Sequence, residues 1–299
     1  MMKRRALTAI SALAVIAGLA GAMQFSRAAV PVPSVASAVI TAANSGQGVT
    51  VALHKALYDF RMTSVESGAG ITGIQGKMYY EQDDNCDAWT TDHRFNIQYQ
   101  YPERAPVENT SHYVAFEAKD GKQFYYTSER EENGATTEQL RGTVNPATDG
   151  SGKADYSRPE DLSFKLPKGY YLPTQHTNAI IRHAKLGDKF FNAVMFDGTD
   201  ADGPVEINTF IGAKLTPAEI AALSAGNKKI DASLLSPTAW HVRMAVFPLT
   251  DDKEMSPSYE MDVILHDNGV VSYSLVDYKS FKVQQRLLAL DKLPGKKCN

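Results

Sequence analysis

Arg94-Phe95-Asn96-Ile97-Gln98-Tyr99-Gln100-Tyr101 puts every apolar side chain on one parity and every polar side chain on the other. That two-residue period belongs to a β-strand with one buried and one wetted face, the habit of antiparallel sheets. Working outward, Ala56, Tyr58, Phe60 and Met62 alternate with Lys55, Leu57, Asp59 and Arg61, and Trp240, Val242, Met244 and Val246 alternate with His241, Arg243 and Ala245. Val49, Val51 and Leu53 lie on odd positions whereas Ala56 to Met62 lie on even ones, so a bulge or break is expected near His54.

Turn chemistry separates these runs. Asp267-Asn268-Gly269 lies between the apolar runs 260–266 and 270–276 and supplies a glycine where φ must be positive, which reads as a hairpin. Lys119-Asp120-Gly121-Lys122 reads the same way. Two segments read as helix. Thr216-Pro217-Ala218-Glu219 is a capping box with proline at the first helical position, closed by Gly226. A second helix is expected from about Thr177 to Lys185, with Ile180, His183 and Ala184 on one face and Gly187 as its stop. Many strands, two short helices and no βαβ rhythm define a mostly β fold, one antiparallel domain over 49–299 with its first and last strands tied by a disulfide.

The amino terminus carries Lys3, Arg4 and Arg5 before an apolar run from Ala6 to about Met23, and then small residues at Ser26, Ala28 and Ala29. This is the pattern of an export signal over 1–28, cut after Ala28 or alternatively Ala22, with a retained membrane anchor as the other reading. Residues 29–48 are Ala, Val, Pro, Ser and Gly with almost no charge, a flexible leader. Losing 1–28 moves the formal charge from −3 to −7, which disfavours nucleic acid as a partner. After cleavage no stable membrane span is expected, and the location implied is the periplasm. Cys86 and Cys298 are the only cysteines. In an oxidising compartment they have one intramolecular solution, with free thiols or an intermolecular bridge as the alternatives.

Catalytic patterns are missing from the sequence. The seven histidines show no metal-ligand spacing, so no metal or cofactor is expected, and His183 reads as a helix-surface or half-buried residue. No G-x-S-x-G elbow occurs. The acidic pairs Asp83/Asp84, Asp200/Asp202 and Asp251/Asp252 read as solvated loop charges, and the stretch Asp197 to Gly203 reads as an acidic β-turn rather than a calcium loop. What remains is a set of strand aromatics that includes Tyr58, Phe60, Tyr80, Phe95, Tyr99, Phe116, Tyr125 and Trp240. They either fill a core or line a concave face able to hold an acyl chain.

His54-Lys-Ala-Leu-Tyr-Asp-Phe60, Cys86-Asp-Ala-Trp-Thr-Thr-Asp-His-Arg94 and Leu166-Pro-Lys-Gly-Tyr-Tyr-Leu-Pro-Thr-Gln-His-Thr177 are similar to segments of the EipB family of cell-envelope integrity proteins. So are Met195-Phe-Asp-Gly-Thr-Asp200, Pro257-Ser-Tyr-Glu-Met261, Val276-Asp-Tyr-Lys-Ser-Phe281 and Lys292-Leu-Pro-Gly-Lys-Lys-Cys298. The resemblance implies a periplasmic spiral β-sheet, similar in general shape to the lipoprotein carriers LolA and LolB. It also implies one disulfide, for which Cys86 and Cys298 occupy the matching places. It implies a role in envelope integrity without established enzymatic activity, acting with other periplasmic envelope proteins. A carrier for lipid or lipidated protein is the alternative function.

Overall fold

In the computed structural model, residues 49, 51–249, 256–296 and 298 are described. The export signal, the leader and Asp251/Asp252 lie outside the described residues.

The alternating runs become one antiparallel sheet. Its first half is a meander of eight strands: β1 (His54–Val65), β2 (Gly73–Asp84), β3 (Ala88–Gln100), β4 (Val107–Ala118), β5 (Phe124–Glu132), β6 (Ala135–Pro146), β7 (Gly152–Arg158) and β8 (Ser163–Leu166). Helix α1 (Pro173–Leu186) leads to the second half: β9 (Phe190–Met195), β10 (Val205–Lys214), α2 (Pro217–Ala222), β11 (Ala239–Pro248), β12 (Tyr259–His266), β13 (Val271–Asp277) and β14 (Phe281–Lys292). The spatial order is β8-β7-β6-β5-β4-β3-β2-β1-β14-β13-β12-β11-β10-β9. The two halves therefore join at β1 and β14, and the free edges β8 and β9 come from the middle of the chain. The sheet does not close on itself.

It is nevertheless rolled. Past β9, Phe196 packs its ring 5.6 Å from Tyr126 of β5 and 6.3 Å from Tyr156 of β7, so the β9 edge continues onto the inner face of the opposite wing. One apolar cluster joins α1 and the inner faces of β1–β3 and β9–β14, and a second joins β4–β8 to Leu172 and Phe196. Within β1, His54, Ala56, Tyr58 and Phe60 are buried on even positions, and the chain before His54 is not strand, so the expected break falls at that residue. The hairpins at 119–122 and 267–269 form where expected, with Gly121 at φ 72° and Gly269 at φ 85°.

Two boundaries differ from the sequence reading. Helix α1 starts at Pro173 rather than near Thr177, because a side chain from another strand receives its first amide protons. The disulfide does not tie the first strand to the last. Cys86 lies in the β2–β3 turn and Cys298 in the tail beyond β14, while β1 and β14 are joined directly by ladder pairs from His54↔Lys292 to Val65↔Phe281.

Candidate functional site on the inner face

The inner face of β2–β4 mixes aromatic with polar side chains, although it is sheltered. Tyr80, His93 and Tyr113 stand in one cross-strand row, with ring centroids 4.6 and 5.9 Å apart. The Tyr80 hydroxyl donates to Gln82 Oε1 at 2.8 Å, and Thr91 Oγ1 donates to the same oxygen at 3.2 Å. Burial lowers His93 to about 3, and on the facing helix it lowers His176 to about 4, so both imidazoles are neutral at neutral pH. Among the described residues, Gln82 Nε2, His93 Nε2 and His176 Nε2 have no hydrogen-bond partner.

Glu117 closes the row next to α1. Only 3% exposed, it accepts from the Thr174 N–H at 2.8 Å and the Gln175 N–H at 2.9 Å, two donors that a helix cannot satisfy internally. Burial pushes its carboxyl up to about 7, against the opposing pull of those hydrogen bonds. Nothing in the local sequence around Glu117 marks this role, since its partners lie 57 and 58 positions downstream.

Further along the same face the shelter is incomplete. Phe95, Ser111 and Arg130 lie directly across from one another on β3, β4 and β5 and are half-buried, as is Met62. Phe95 meets Phe60 edge-on at 6.0 Å. Its strand neighbours Ile97 and Tyr99 are buried, so the aromatic strip of β3 runs from solvent contact into core. Arg130 pairs with Glu138 at 2.7 Å and donates to the Thr199 carbonyl at 2.7 Å. The strip thus places half-buried apolar surface beside one paired guanidinium.

The 197–203 stretch corrects the sequence reading. Asp202 is exposed as expected, but Asp200 is buried rather than solvated, and so is Asp197, because the loop is drawn under β4–β7. The Tyr113 hydroxyl donates to the Asp197 carbonyl at 2.6 Å and the Tyr156 hydroxyl to the Asp200 carbonyl at 2.5 Å. Burial, with Asp197 beside it, raises the Asp200 carboxyl far above the usual carboxylate range. Gly198 has φ 70°, and a Cβ there would meet the Tyr126 ring at 2.4 Å, so glycine is required for the loop to lie this close. The two patterns that carry this, hydroxyls on distant strands and a glycine under a ring, have no signature in local sequence.

Cys86 and Cys298 are joined, Sγ to Sγ at 2.07 Å, across 212 positions. Lys296 reinforces the tail by pairing with Asp83 at 2.9 Å. His183 is half-buried, as its helix position suggested, with its ring stacked on Phe191 at 4.4 Å. Phe116 and Tyr125 point to the outer face, where Tyr125 stays exposed, so they belong neither to the core nor to the inner strip. Among the described residues no group of three or more His, Cys, Asp or Glu side chains could hold a metal ion, and no helix is long and apolar enough to cross a membrane.

A single rolled antiparallel sheet with an unclosed seam, a helix packed inside it and an aromatic inner face defines a β-barrel-like protein. The chain belongs to the EipB-like family, whose pattern matches residues 45–294. It is 27% identical over 252 residues to the cell envelope integrity protein EipB of Brucella abortus (strain 2308), covering 84% of this chain and 87% of that one. A crystal structure of a β-barrel-like protein of a domain of unknown function from Brucella abortus superposes with a TM-score of 0.73 at 26% identity, covering 82% of this chain and all of the other.

Proposed function

We propose that this protein maintains the integrity of the cell envelope from the periplasm, without catalysing a reaction, by acting on other envelope proteins. The observation that carries this reading is the family match along nearly all of the described chain, together with the name of the Brucella abortus relative. The disulfide suits an oxidising compartment, and the amino-terminal sequence suits export to one. Deleting the gene is expected to sensitise cells to detergents and to cell-wall antibiotics while leaving metabolic activities in place. Unchanged sensitivity to both would remove the reading.

A second reading, carriage of a lipid or a lipidated protein, is favoured by the half-buried strip at Met62, Phe95 and Ser111. Phe95→Asp tests it better than Ile97→Asp, because Ile97 is buried and a charge there would be unpaired in the core. The carrier reading expects a Phe95→Asp protein that folds yet fails to restore resistance in the deletion strain. Full restoration by a folded variant would count against it.

A further inference from the structure

The outer face of β4–β7 carries a depression of about 410 Å3, lined among others by Phe116, Tyr125, Thr127, Arg141, Asp155 and Ser157. The ladder sets its side chains in two cross-strand rows. In one, Phe116 lies across from Tyr125, Tyr125 from Thr143, and Thr143 from Asp155. In the other, Val114 lies across from Thr127 and Thr127 from Arg141. Side chains directly opposite on one face of a sheet are within reach of each other, so the rows form one continuous surface.

The floor is aromatic and the rim is polar. Tyr125 is 48% exposed, and its ring centroid lies 6.0 Å from that of Phe116, which props it from the side. Around this pair stand the hydroxyls of Thr127, Thr143 and Ser157, the Asp155 carboxylate and the Arg141 guanidinium. A flat apolar floor inside a ring of hydrogen-bonding groups complements a sugar ring, which has C–H groups on its faces and hydroxyls along its edge. Thr127, Arg141 and Ser157 are exposed, so the depression is open and does not enclose an acyl chain.

The charges at the rim show what the sugar must carry. A bulge shifts the β6–β7 register between Arg141 and Gly142, so Arg141 stands across from Arg158 with Ser157 beside them. Like charges across a ladder repel each other. Arg158 donates to Gln139 Oε1, and Glu129, the acid diagonal to Arg141, accepts from Gln139 Nε2 at 2.7 Å. Asp155 is taken by Lys153, and it accepts from Asn145 Nδ2 at 3.1 Å. Among the described residues no acid pairs with Arg141, whereas Arg94 on the same face has Asp92 at 2.7 Å. An anion at the Arg141 lip would supply the missing partner and relieve the repulsion.

We infer that the outer depression on β4–β7 binds a glycan whose sugar ring carries a carboxylate. The ring lies on Tyr125 beside Phe116, its hydroxyls meet Thr143 and Asp155, and its carboxylate meets Arg141. The volume is at the small end of the roughly 300–1,000 Å3 usual for ligand cavities, which suits a short stretch of glycan. Because the site is open and its charges are exposed, the affinity is modest and falls with salt. The inference goes beyond the envelope role and does not use the inner strip.

The test uses the full mature chain, 15N-labelled, with N-acetylmuramic acid as the acidic probe, N-acetylglucosamine as the uncharged one and hexanoate as an acyl anion without a sugar ring. The acidic sugar is expected to shift the amide signals of Phe116, Tyr125 and Arg141. Tyr125→Ala changes an exposed side chain and should leave the other amide signals in place while weakening both sugars about tenfold. Arg141→Gln should weaken the acidic sugar about fivefold and leave the uncharged one unchanged. No shift at high millimolar acidic sugar, shifts confined to other strands, or equal binding by hexanoate would each overturn the inference. So would unaltered binding of the acidic sugar by either variant.

Discussion

Helices α1 and α2 both begin at a proline, yet their first amide groups are satisfied over different distances. At α2 the partners are local. Glu219 Oε2 accepts from the Thr216 N–H at 2.7 Å, and Thr216 Oγ1 accepts from the Glu219 N–H at 3.3 Å. At α1 the residue before the proline is Leu172, which has no side-chain oxygen, and the carboxyl of Glu117 on β4 receives the donors instead. A local cap belongs to its segment and survives changes elsewhere. The distant cap exists only when β4 and α1 have docked, so it couples the start of a helix to the assembly of the sheet.

Breaking long-range fastenings should therefore cost more than breaking local ones. Cys298→Ser, which opens the loop of 212 positions, is expected to cost about 2–4 kcal/mol and to lower the thermal midpoint by several degrees while the β circular dichroism remains. Equal midpoints for variant and parent would mean the tail is held by other contacts, such as the Lys296 pair. Glu117→Ala leaves two sheltered N–H donors without acceptors, for an expected loss of about 2–3 kcal/mol in urea titration. A loss under half of that would show that α1 does not depend on the distant cap.

Glu117→Gln sharpens the comparison through pH. The folded chain holds a proton on Glu117 up to about 7, whereas an unfolded chain releases it near the ordinary 4.5. Between those values the folded state binds more protons, so this group's contribution to stability is full at low pH and is lost as pH rises through about 7. His93 and His176 act oppositely. Their folded values, about 3 and 4, lie below the ordinary 6.5, so their contribution is present above 6.5 and lost as pH falls through the folded values. Subtracting the two proteins isolates the carboxyl. The parent's advantage over Glu117→Gln should be larger at pH 5 than at pH 7.5, and an equal advantage at both would contradict the shifted carboxyl. The smallest effect belongs to the local cap. Thr216→Ala should cost about 1 kcal/mol and leave α1 amide protection unchanged.

The same contrast of distances separates what was legible in sequence from what was not. Alternation at Phe95–Tyr101 and Trp240–Val246, the glycine turns and the Thr216/Glu219 box are local patterns, and each became the element it described. The α1 start was placed four residues late because its cap sits in another strand. Of the pair Asp200/Asp202 read as solvated, Asp202 is exposed but Asp200 is buried, because acidity is a property of the segment whereas the burial of this loop is set by hydroxyls of Tyr113 and Tyr156 on other strands. The inner strip was visible only in part. Period two places Phe95, Ile97 and Tyr99 on one face, but only the rolled sheet grades that face from half-buried Phe95 to buried Tyr99.

The seam between β1 and β14 has a consequence in time. A ribosome delivers β1 early and β14 last, yet the two must lie side by side, from His54 against Lys292 to Val65 against Phe281. Strands β1 to β8 can zip together as they emerge, each beside its predecessor. One flank of β1 must wait, unpaired, until almost the entire polypeptide has been made. During that interval the twelve-residue strand offers a neighbouring nascent chain the ladder reserved for its own carboxyl end. Closing so distant a pair is slow by its nature, and its rate should limit the yield of native protein. Holding the chain extended and separate until synthesis is complete would protect that yield.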